Sequence, residues 1–281
     1  MIENIAVVVL TLNEESNLPA LLESIAPLHP KVFVVDSGSI DKTVQIAEAN
    51  NCTVVIHPFE NYAKQRNWAF QNLTISVPWT LCLDADERLT PELVAEIREL
   101  IAVHNNPFDG YMLRKRTVFM GRWLRWGGQY PAYHLRLFRT GKGRCEDRMY
   151  DQHFTVNGNV GRLRYDYIDI LTDSLSKWTE RHNNWATLEA AELTRSGPRE
   201  GQVEPLLFGN PIERKRFLRM QIYKRFPLFF RPFLLFFLDY FLRLGFLDGR
   251  PGLIFHFLQR LWFRFLVDAK IMEIHLKSPQ R

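Results

Sequence analysis

The sequence has few cysteines and no spacing that would pair them. Cys52, Cys82 and Cys145 are odd in number, and none belongs to a CxxC arrangement. The sequence therefore indicates neither a disulfide framework nor a zinc site. Scattered single thiols suit a reducing compartment, so we expect free cysteines and a cytoplasmic location.

Long uncharged apolar runs are also missing. Residues 226–238 and 253–267 are very apolar, but arginines interrupt both of them. A membrane-spanning helix needs about 18 or more predominantly apolar residues, so none is predicted. The N-terminus does not resemble a signal peptide, because Glu3 and Asn4 replace the basic region that would come first.

Glycine-rich phosphate loops are absent as well. The turn after the first predicted strand contains no glycine, and no Walker A lysine loop occurs in the chain. The sequence therefore disfavours a dinucleotide-dependent dehydrogenase and a P-loop enzyme. A net charge of +5 and a pI of about 9.1 are too modest to indicate nucleic-acid binding, so we expect no nucleic-acid partner.

What the sequence does contain is a regular alternation of strands and helices. Apolar, β-branched runs predict four strands, at residues 5–10, 31–36, 53–57 and 79–83. Helical patterns lie between them, at 43–50, 62–72 and in a first helix that Ser16 would cap. This order predicts an α/β fold with a mostly parallel sheet flanked by helices.

Three of these strands end in polar residues. Thr11 and Asn13 follow the first, Asp36 and Ser37 the second, and Asp84 and Asp86 the fourth. In open α/β sheets ligands bind outside the carboxyl ends of the strands, so we expect these side chains at one edge of the sheet.

Asp84 and Asp86 are the strongest candidates for chemistry. Separated by one residue in extended backbone, they point to the same side, where they could hold Mg²⁺ or Mn²⁺ and the phosphates of a substrate. The alternative is an acidic turn before a helix, because Thr90, Pro91 and Glu92 form a helix start.

Four ordered segments resemble the donor-site motifs of the family 2 glycosyltransferases with the GT-A fold. They are residues 9–15 (VLTLNEE), 35–39 (VDSGS), 66–67 (RN) and 83–87 (LDADE). The similarity spans about the first 195 residues, and the subgroup it most resembles comprises bacterial lipopolysaccharide-core and polysaccharide glycosyltransferases. The resemblance implies a GT-A, Rossmann-like sheet and a nucleotide-sugar donor.

The resemblance also implies roles for individual residues. Asp36 would contact the nucleotide base, Arg66 the nucleotide, Asp84 the ribose and metal, and Asp86 would be the direct metal ligand. Asp169, where relatives carry a metal-proximal histidine, is a candidate second protein ligand. The remaining donor-binding candidates from these motifs are Thr11, Asn13, Glu15 and Asn67.

The catalytic base is expected in the acidic stretch 144–154. Inverting transfer requires a carboxylate within reach of the acceptor hydroxyl. Relatives often have His-Glu where this chain has Asp151 and Gln152, and a glutamine cannot take the proton. Asp151 is therefore the first candidate, with Glu146 and Asp147 as the alternative.

The acceptor side is expected in the middle of the chain. The aromatic, glycine-containing loop 123–131 could stack on sugars or fill a core beneath the loop. Asp173 would cap a helix from Ser174 to about Arg195, which presents Trp178, His182, Trp185 and Glu189 on one face. Arg181 beside that face is a candidate for the donor diphosphate, although a structural role is the simpler interpretation.

The C-terminal residues 212–281 differ in character from the catalytic segment 1–195, and residues 196–211 form a linker by composition. We expect a C-terminal amphipathic helical appendage of two helices that associates with a membrane surface. The turn between them is predicted at 245–252, and Asp239 and Arg243 form a favourable pair before it. A hairpin packed on the main domain and a dimer contact are the alternatives.

On this interpretation the arginines of the appendage would lie at lipid phosphates. His256, Arg260, Arg264 and Asp268 recur every four residues as a narrow polar stripe. The apolar arc expected to enter the membrane consists of Phe233, Leu234, Phe237, Phe255, Leu258, Trp262 and Phe265.

The sequence thus predicts an inverting, metal-dependent glycosyltransferase at the cytoplasmic face of the inner membrane, where it would act as a peripheral or monotopic protein. Its donor would be a nucleoside diphosphate sugar and its acceptor lipid-linked or lipopolysaccharide-core. A sugar-phosphate nucleotidyltransferase and a membrane scaffold with a degenerate site are the alternatives.

Overall fold

The computed structural model describes residues 4–103, 105–171, 174–195 and 203–277. The chain forms two compact units. The first unit comprises Met1–Lys115, Tyr133–Asp147 and Gln152–Asp169, and the second comprises Arg116–Ala132, Arg148–Asp151 and Ile170–Arg281.

The first unit begins with the predicted alternation of strands and helices. Its strands are β1 (Ile5–Thr11), β2 (Lys31–Asp36), β3 (Thr53–Ile56) and β4 (Trp79–Asp84), and its helices are α1 (Leu18–Ile25), α2 (Thr43–Ala49) and α3 (Tyr62–Asn72). Strand β1 pairs in parallel with both β2 and β4, and β2 pairs in parallel with β3. The predicted parallel half of the sheet is confirmed.

The other half of the sheet contains antiparallel strand pairs and was not predicted in full. The remaining elements of this region are β5 (Glu87–Leu89), α4 (Pro91–Ile101), β6 (Gly110–Phe119), β7 (Arg122–Trp123), β8 (Ala132–Arg139), β9 (Gly143–Cys145), β10 (Phe154–Val156) and β11 (Val160–Ile170). The strand order of this sheet is β3-β2-β1-β4-β8-β6-β11-β5, with β7 paired to β6, and β9 and β10 form a separate two-stranded sheet. The sequence pattern predicts strands at 109–118 and 134–139, which correspond to β6 and β8. The strands β5, β7, β9, β10 and β11 were not predicted, and all of these except β11 are only two or three residues long.

The core explains why β1 and α1 form where they do. Five residues of β1, Ile5 to Val9, are buried, as expected for a strand covered on both faces. Helix α1 turns Leu18, Leu21, Leu22 and Ile25 inward at helical spacing. The predicted cap Ser16 is wrong, because Asn17 is the residue that precedes the helix. Its side-chain amide instead donates to Glu14 Oε2 at 2.8 Å.

Helix α5 (Leu175–Thr194) begins the helical part of the second unit. Ser174 caps it, its hydroxyl accepting from the backbone N–H of Lys177. The predicted cap Asp173 lies outside the described residues. Ala186 and Ala190 of α5 pack with Phe263 and Val267 of the C-terminal helix, so α5 and the C-terminal segment share one core.

The C-terminal segment contains more helix than the two helices predicted. Its first helix is α6 (Pro211–Phe217), which continues as a π-helical turn to Ile222 and a 3₁₀ turn to Arg225. The second is α7 (Phe230–Phe237), which continues to Leu242 and is followed by a 3₁₀ turn (Gly245–Asp248). Helix α8 (Gly249–His256) then continues through Trp262 into α9 (Phe263–Lys277). The predicted turn at 245–252 is therefore too long, because Gly249 already starts a helix. The predicted pair of Asp239 and Arg243 is confirmed, at 2.9 Å.

The polar stripe on α8 and α9 faces the interior, which corrects the expectation that its arginines lie at lipid phosphates. Arg260 approaches Asp239 at 2.8 Å, and Arg264 pairs with Glu189 at 2.7 Å. Asp268 accepts from Arg231, with Nε 2.9 Å from Oδ1. A charged side chain can be buried when it is paired with an opposite charge. Because the polar stripe is buried in this way, the apolar side of these helices faces outward.

Part of the predicted apolar arc is consequently buried. Phe255 is only 4% exposed and belongs to a core cluster with Phe119, Leu124 and Trp178. Leu258 and Trp262 pack against the same cluster. By contrast, Phe233, Phe237 and Phe265 are exposed as predicted. No helix within the described ranges is both long and apolar enough to cross a membrane.

Candidate functional site

Asp36 organises the turn at the end of β2. Its side chain is fully buried and its Oδ2 accepts from the hydroxyl of Thr11 at 2.7 Å. Its Oδ1 accepts from the backbone N–H groups of Gly38 and Ser39 at 2.9 and 2.7 Å. Both carboxylate oxygens are thus used to fix the loop. The contact with a nucleotide base that the resemblance implies for Asp36 stays a prediction.

Asn13 and Glu15 join the loop after β1 to the loop after β2. Asn13 adopts a left-handed backbone conformation with φ of 57°, and its Oδ1 accepts from the N–H of Ile40 at 2.9 Å. Glu15 Oε2 accepts from the N–H of Lys42 at 3.0 Å. The polar rim predicted at the carboxyl ends of these strands is therefore one hydrogen-bonded surface.

Asp84 is held between two arginines. Arg66 Nη2 lies 2.9 Å from Oδ1, and Arg136 Nη2 lies 2.9 Å from Oδ2. Burial by itself would raise the pKa of the Asp84 carboxyl, but the charges of Arg136 and Arg66 outweigh burial and hold the pKa well below its usual range. Asp84 is therefore a fixed, ionised carboxylate.

Arg136 is a site residue that was not among the predicted ones. It also contacts Glu87, whose Oε2 accepts from the backbone N–H of Asp84 at 2.9 Å. The sequence carried a signal, since residues 134–139 alternate like a strand with basic residues on one face. The sequence does not show that β8 pairs with β4. This pairing brings the basic face beside the aspartates that follow β4.

Asp86 differs from its neighbours because nothing neutralises it. Its half-buried carboxylate has no hydrogen bond or ion pair with any residue in the described ranges. Burial, and then the charges of Asp169, Asp84, Glu87 and Glu14, raise the pKa of Asp86 well above its usual range. This carboxylate would be stabilised by a cation.

Asp169 lies close enough to Asp86 to raise its pKa, but it already has a cation. Lys115 Nζ donates to Asp169 Oδ2 at 2.6 Å. Lys115 was also missed from the sequence, because nothing in a single chain shows which residue of β6 faces β11. The metal-ligand role predicted for Asp169 stays a prediction.

The site fits a divalent cation held mainly by one carboxylate. Among the described residues, no three His, Cys, Asp or Glu side chains form a cluster that could hold a metal by themselves. Mg²⁺ commonly keeps several waters and takes only one or two carboxylates together with substrate phosphates. The unpartnered Asp86 provides this kind of ligand, while Arg66, Arg136 and Lys115 occupy the neighbouring acids.

Asn67 has a structural contact in addition to its predicted donor role. Its amide Nδ2 donates to the carbonyl of Cys145 at 2.8 Å, and its Oδ1 accepts from the Cys145 N–H at 2.8 Å. Both ends of the amide are thus used to attach β9 to α3. The three cysteines are free thiols, as predicted.

The candidate bases lie in different surroundings. Glu146 is fully buried, and its Oε2 accepts from the N–H of His153 at 2.9 Å. Asp147 is exposed. Asp151 belongs to the second unit, where its Oδ2 accepts from Arg219 at 2.6 Å and its backbone φ is 58°.

Arg181 and His182 make contacts typical of structural residues. Arg181 Nη2 donates to the carbonyl of Leu171 at 2.9 Å, and its guanidinium lies 5.1 Å from the ring centre of Trp185. His182 is buried and stacks on Trp178. The donor-diphosphate role considered for Arg181 stays a prediction.

The sheet, the Asp36 turn and the pair Asp84 and Asp86 define the class of protein as an α/β glycosyltransferase of the GT-A type. The model of the family described as glycosyl transferase family 2 matches residues 6–170. Because the match covers more than half of the chain, the chain belongs to glycosyl transferase family 2.

Individual relatives agree with this family. The lipopolysaccharide core biosynthesis glycosyltransferase LpsC of Rhizobium meliloti (strain 1021) is 28% identical over 211 residues, which are 73% of this chain and 76% of LpsC. An uncharacterised glycosyltransferase of Rickettsia conorii is 38% identical over 110 residues, which are 39% of this chain and 38% of that relative. The chain thus spans about three quarters of LpsC and less than two fifths of the Rickettsia protein.

Among solved structures, S. aureus TarS 1-349 is similar at 16% identity and a TM-score of 0.47, with 99% of this chain and 93% of TarS covered. This likeness is too low to support the assignment, which rests on the strand order and the family match.

Proposed function

We propose that this chain is an inverting, metal-dependent glycosyltransferase. It moves a sugar from a nucleoside diphosphate donor to a lipid-linked or lipopolysaccharide-core acceptor at the cytoplasmic membrane face. The observation that carries the proposal is the Asp86 carboxylate, half-buried among acids and without a cation partner in the described part of the chain.

The residues around Asp86 have distinct parts in this proposal. Bound Mg²⁺ or Mn²⁺ would neutralise the diphosphate leaving group, with Asp86 as its main protein ligand. Arg66 and Arg136 hold Asp84 in one orientation beside the ribose, and the Asp36 turn receives the base. Preorganised groups of this kind need no rearrangement at the moment of reaction.

Asp151 remains the first candidate for the base. Its side chain is 27% exposed, whereas that of Glu146 is fully buried and held by His153. Only an accessible carboxylate can reach an acceptor hydroxyl. Arg219 Nη1 donates to the Asp151 carboxylate at 2.6 Å and would hold it in one orientation.

The acceptor is proposed from two observations. The relative named LpsC is a lipopolysaccharide core biosynthesis glycosyltransferase, and the match spans most of both chains. The C-terminal segment also exposes many phenylalanines, as expected of a protein that works on a lipid-linked substrate.

Two rivals make different predictions. A sugar-phosphate nucleotidyltransferase would be expected to have a glycine-rich basic loop after β1, where this chain has Asn13, Glu14 and Glu15. It would release pyrophosphate from a nucleoside triphosphate. A degenerate-site scaffold would bind donor without turnover.

The proposal is tested by thermal unfolding with a panel of nucleotide sugars, with Mg²⁺, Mn²⁺ or EDTA. At 100 times Kd one donor should raise Tm by roughly 5–10 °C, and only with metal. The Asp86→Asn variant should lose this shift, while Glu92→Gln, an exposed acid on α4, should keep it. An equal shift for Asp86→Asn in EDTA would contradict the metal site.

A further inference from the structure

Helix α7 and its continuation present a row of phenylalanines to the outside. Phe230, Phe233, Phe237 and Phe241 are 46–57% exposed. Their spacing of three and four residues places them on one side of the helix. Soluble monomers rarely expose so many large apolar side chains side by side, so this row indicates an interaction surface.

The row continues onto the following helices. Phe233 and Phe265 are in ring contact at 6.3 Å between centroids, so the exposed sides of α7 and α9 join. Phe257 and Leu253 are 48% and 45% exposed. We name this surface the hairpin face, and its members are Phe230, Phe233, Phe237, Phe241, Leu242, Leu244, Phe246, Leu247, Leu253, Phe257 and Phe265.

Within residues 214–272, which carry the hairpin face, the exposed charges have one sign. The acidic residues between 214 and 272 are Asp239, Asp248 and Asp268, and each is only 1% exposed. The basic residues Arg225, Arg243 and Arg250 are exposed. An apolar surface bordered by bases and free of exposed acids is complementary to a membrane with anionic headgroups.

This charge pattern argues against a second copy of the chain as the occupant. In a two-fold dimer the same patch would meet itself, which would bring arginines towards arginines. Arg243 is already paired with Asp239 within the chain, and Asp268 is buried and engaged by Arg231, so neither carboxylate could pair with Arg225 or Arg250 of a second copy.

The 3₁₀ turn Gly245–Asp248, which joins the two helical arms of this hairpin, also holds the aromatic loop 123–131. The Asp248 carboxylate accepts from the N–H groups of Arg125 and Trp126 at 3.1 and 3.0 Å. The N–H of Gly127 donates to the carbonyl of Arg243 at 2.9 Å. Gly127 has a φ of 64°, and a Cβ there would lie 2.1 Å from His256 Cε1. Only glycine fits, so this loop is built on the hairpin.

We propose that the hairpin face docks on an anionic membrane surface and thereby places the loop 123–131 at that surface. Phenylalanines enter the headgroup region, and Arg225 and Arg250 contact lipid phosphates. The consequence for a lipid-linked acceptor rests on the proposed function, whereas the docking itself does not depend on donor chemistry.

The test is co-sedimentation of the full-length protein with vesicles of phosphatidylcholine alone or mixed with phosphatidylglycerol. The protein should pellet with the anionic vesicles at low salt. The triple variant Phe233→Ser, Phe237→Ser, Phe241→Ser should bind at least tenfold more weakly. Its control, Ile56→Ser with Val103→Ser, replaces exposed apolar residues elsewhere and should bind as the parent does.

A second variant tests the charges and retains every apolar residue. Arg225→Glu with Arg250→Glu should weaken binding to anionic vesicles at low salt by tenfold or more and leave weak binding to neutral vesicles unchanged. The control is Arg98→Glu with Arg162→Glu, two exposed arginines of the first unit.

The proposal is overturned if the parent stays in the supernatant with anionic vesicles, or if the triple variant binds as well as the parent. A parent dimer that the triple variant converts to monomer, by analytical ultracentrifugation, would instead assign the face to a second copy. The donor thermal shift is measured on the same proteins. Loss of vesicle binding with an intact shift separates failure of docking from failure of the proposed function.

Discussion

Asp169 and Glu87 are direct partners across the antiparallel pair of β11 and β5. This register brings a carboxylate from residue 169 beside the acidic segment that follows β4. The opposing charges are Lys115 on Asp169, and Arg136 on both Glu87 and Asp84. Asp84 is also bound by Arg66, which leaves Asp86 without a partner among the described residues.

The distribution of charge around Asp86 therefore separates structural acids from a functional one. Carboxylates that lose contact with water destabilise a fold unless they are paired. Three of the four carboxylates here are paired, namely those of Asp84, Glu87 and Asp169. The unpaired carboxylate of Asp86 lowers the stability of the fold. Such unpaired charges are common at sites that bind a charged ligand. A bound divalent cation would supply the positive charge that Asp86 lacks.

Arg136→Met should destabilise the first unit strongly, by about 3–5 kcal/mol, because it removes the arginine that pairs with the buried Glu87 and leaves the partly exposed Asp84 with Arg66 alone. Equilibrium urea unfolding measures the change. Arg139→Met on the same strand is the control. It should cost about 1 kcal/mol or less, because Arg139 is more exposed and its nearest carboxylate atom lies 4.0 Å away. Equal losses for both variants would contradict the role given to Arg136.

The parallel half of the fold could be predicted because each of its elements carries a local signal. Strands β1, β2 and β4 are continuous apolar runs, and α3 was predicted at its observed bounds. Thr90 caps α4 as predicted, its hydroxyl accepting from the N–H of Leu93. Local patterns of this kind depend on neighbours in sequence, which a single chain displays.

The antiparallel half depends on contacts between distant residues. Nothing near Arg136 in sequence shows that β8 pairs with β4, and nothing near Lys115 shows that it faces Asp169. The polar stripe on α8 and α9 was recognised, but its direction was not. Buried partners on other helices, Glu189, Arg231 and Asp239, turn it inward. Periodicity identifies a face, whereas only the partners show whether that face is inside.

Asp151→Asn should lower kcat by about 10²–10⁴ and leave donor affinity near that of the parent, if Asp151 is the base. The fold should persist, because Arg219 also pairs with Glu189. Steady-state kinetics with the donor found in the thermal panel separates kcat from binding.

Two comparison variants make this assignment specific. Glu146→Gln and Asp147→Asn should keep kcat within about tenfold of the parent. If either of them abolishes turnover while Asp151→Asn stays active, the base lies in the segment before Arg148, and the contact of Asp151 with Arg219 is structural.

His256 should make the second unit sensitive to acid. Its ring is fully buried, with neither nitrogen hydrogen-bonded to a described residue, and burial followed by the charge of Arg260 lowers the pKa of His256 to about 4. The unfolded chain takes up this proton near pH 6.5, so stability is complete above that pH and falls as the pH drops towards 4, by roughly 3 kcal/mol.

Urea unfolding of His256→Leu between pH 7 and 4.5 should show a shallower decline than the parent. His275→Leu, an exposed histidine on α9, should leave the slope unchanged. A parent slope retained in His256→Leu would assign the acid sensitivity to other groups, of which the buried His182 is the first to test, because burial lowers its pKa to about 4 as well.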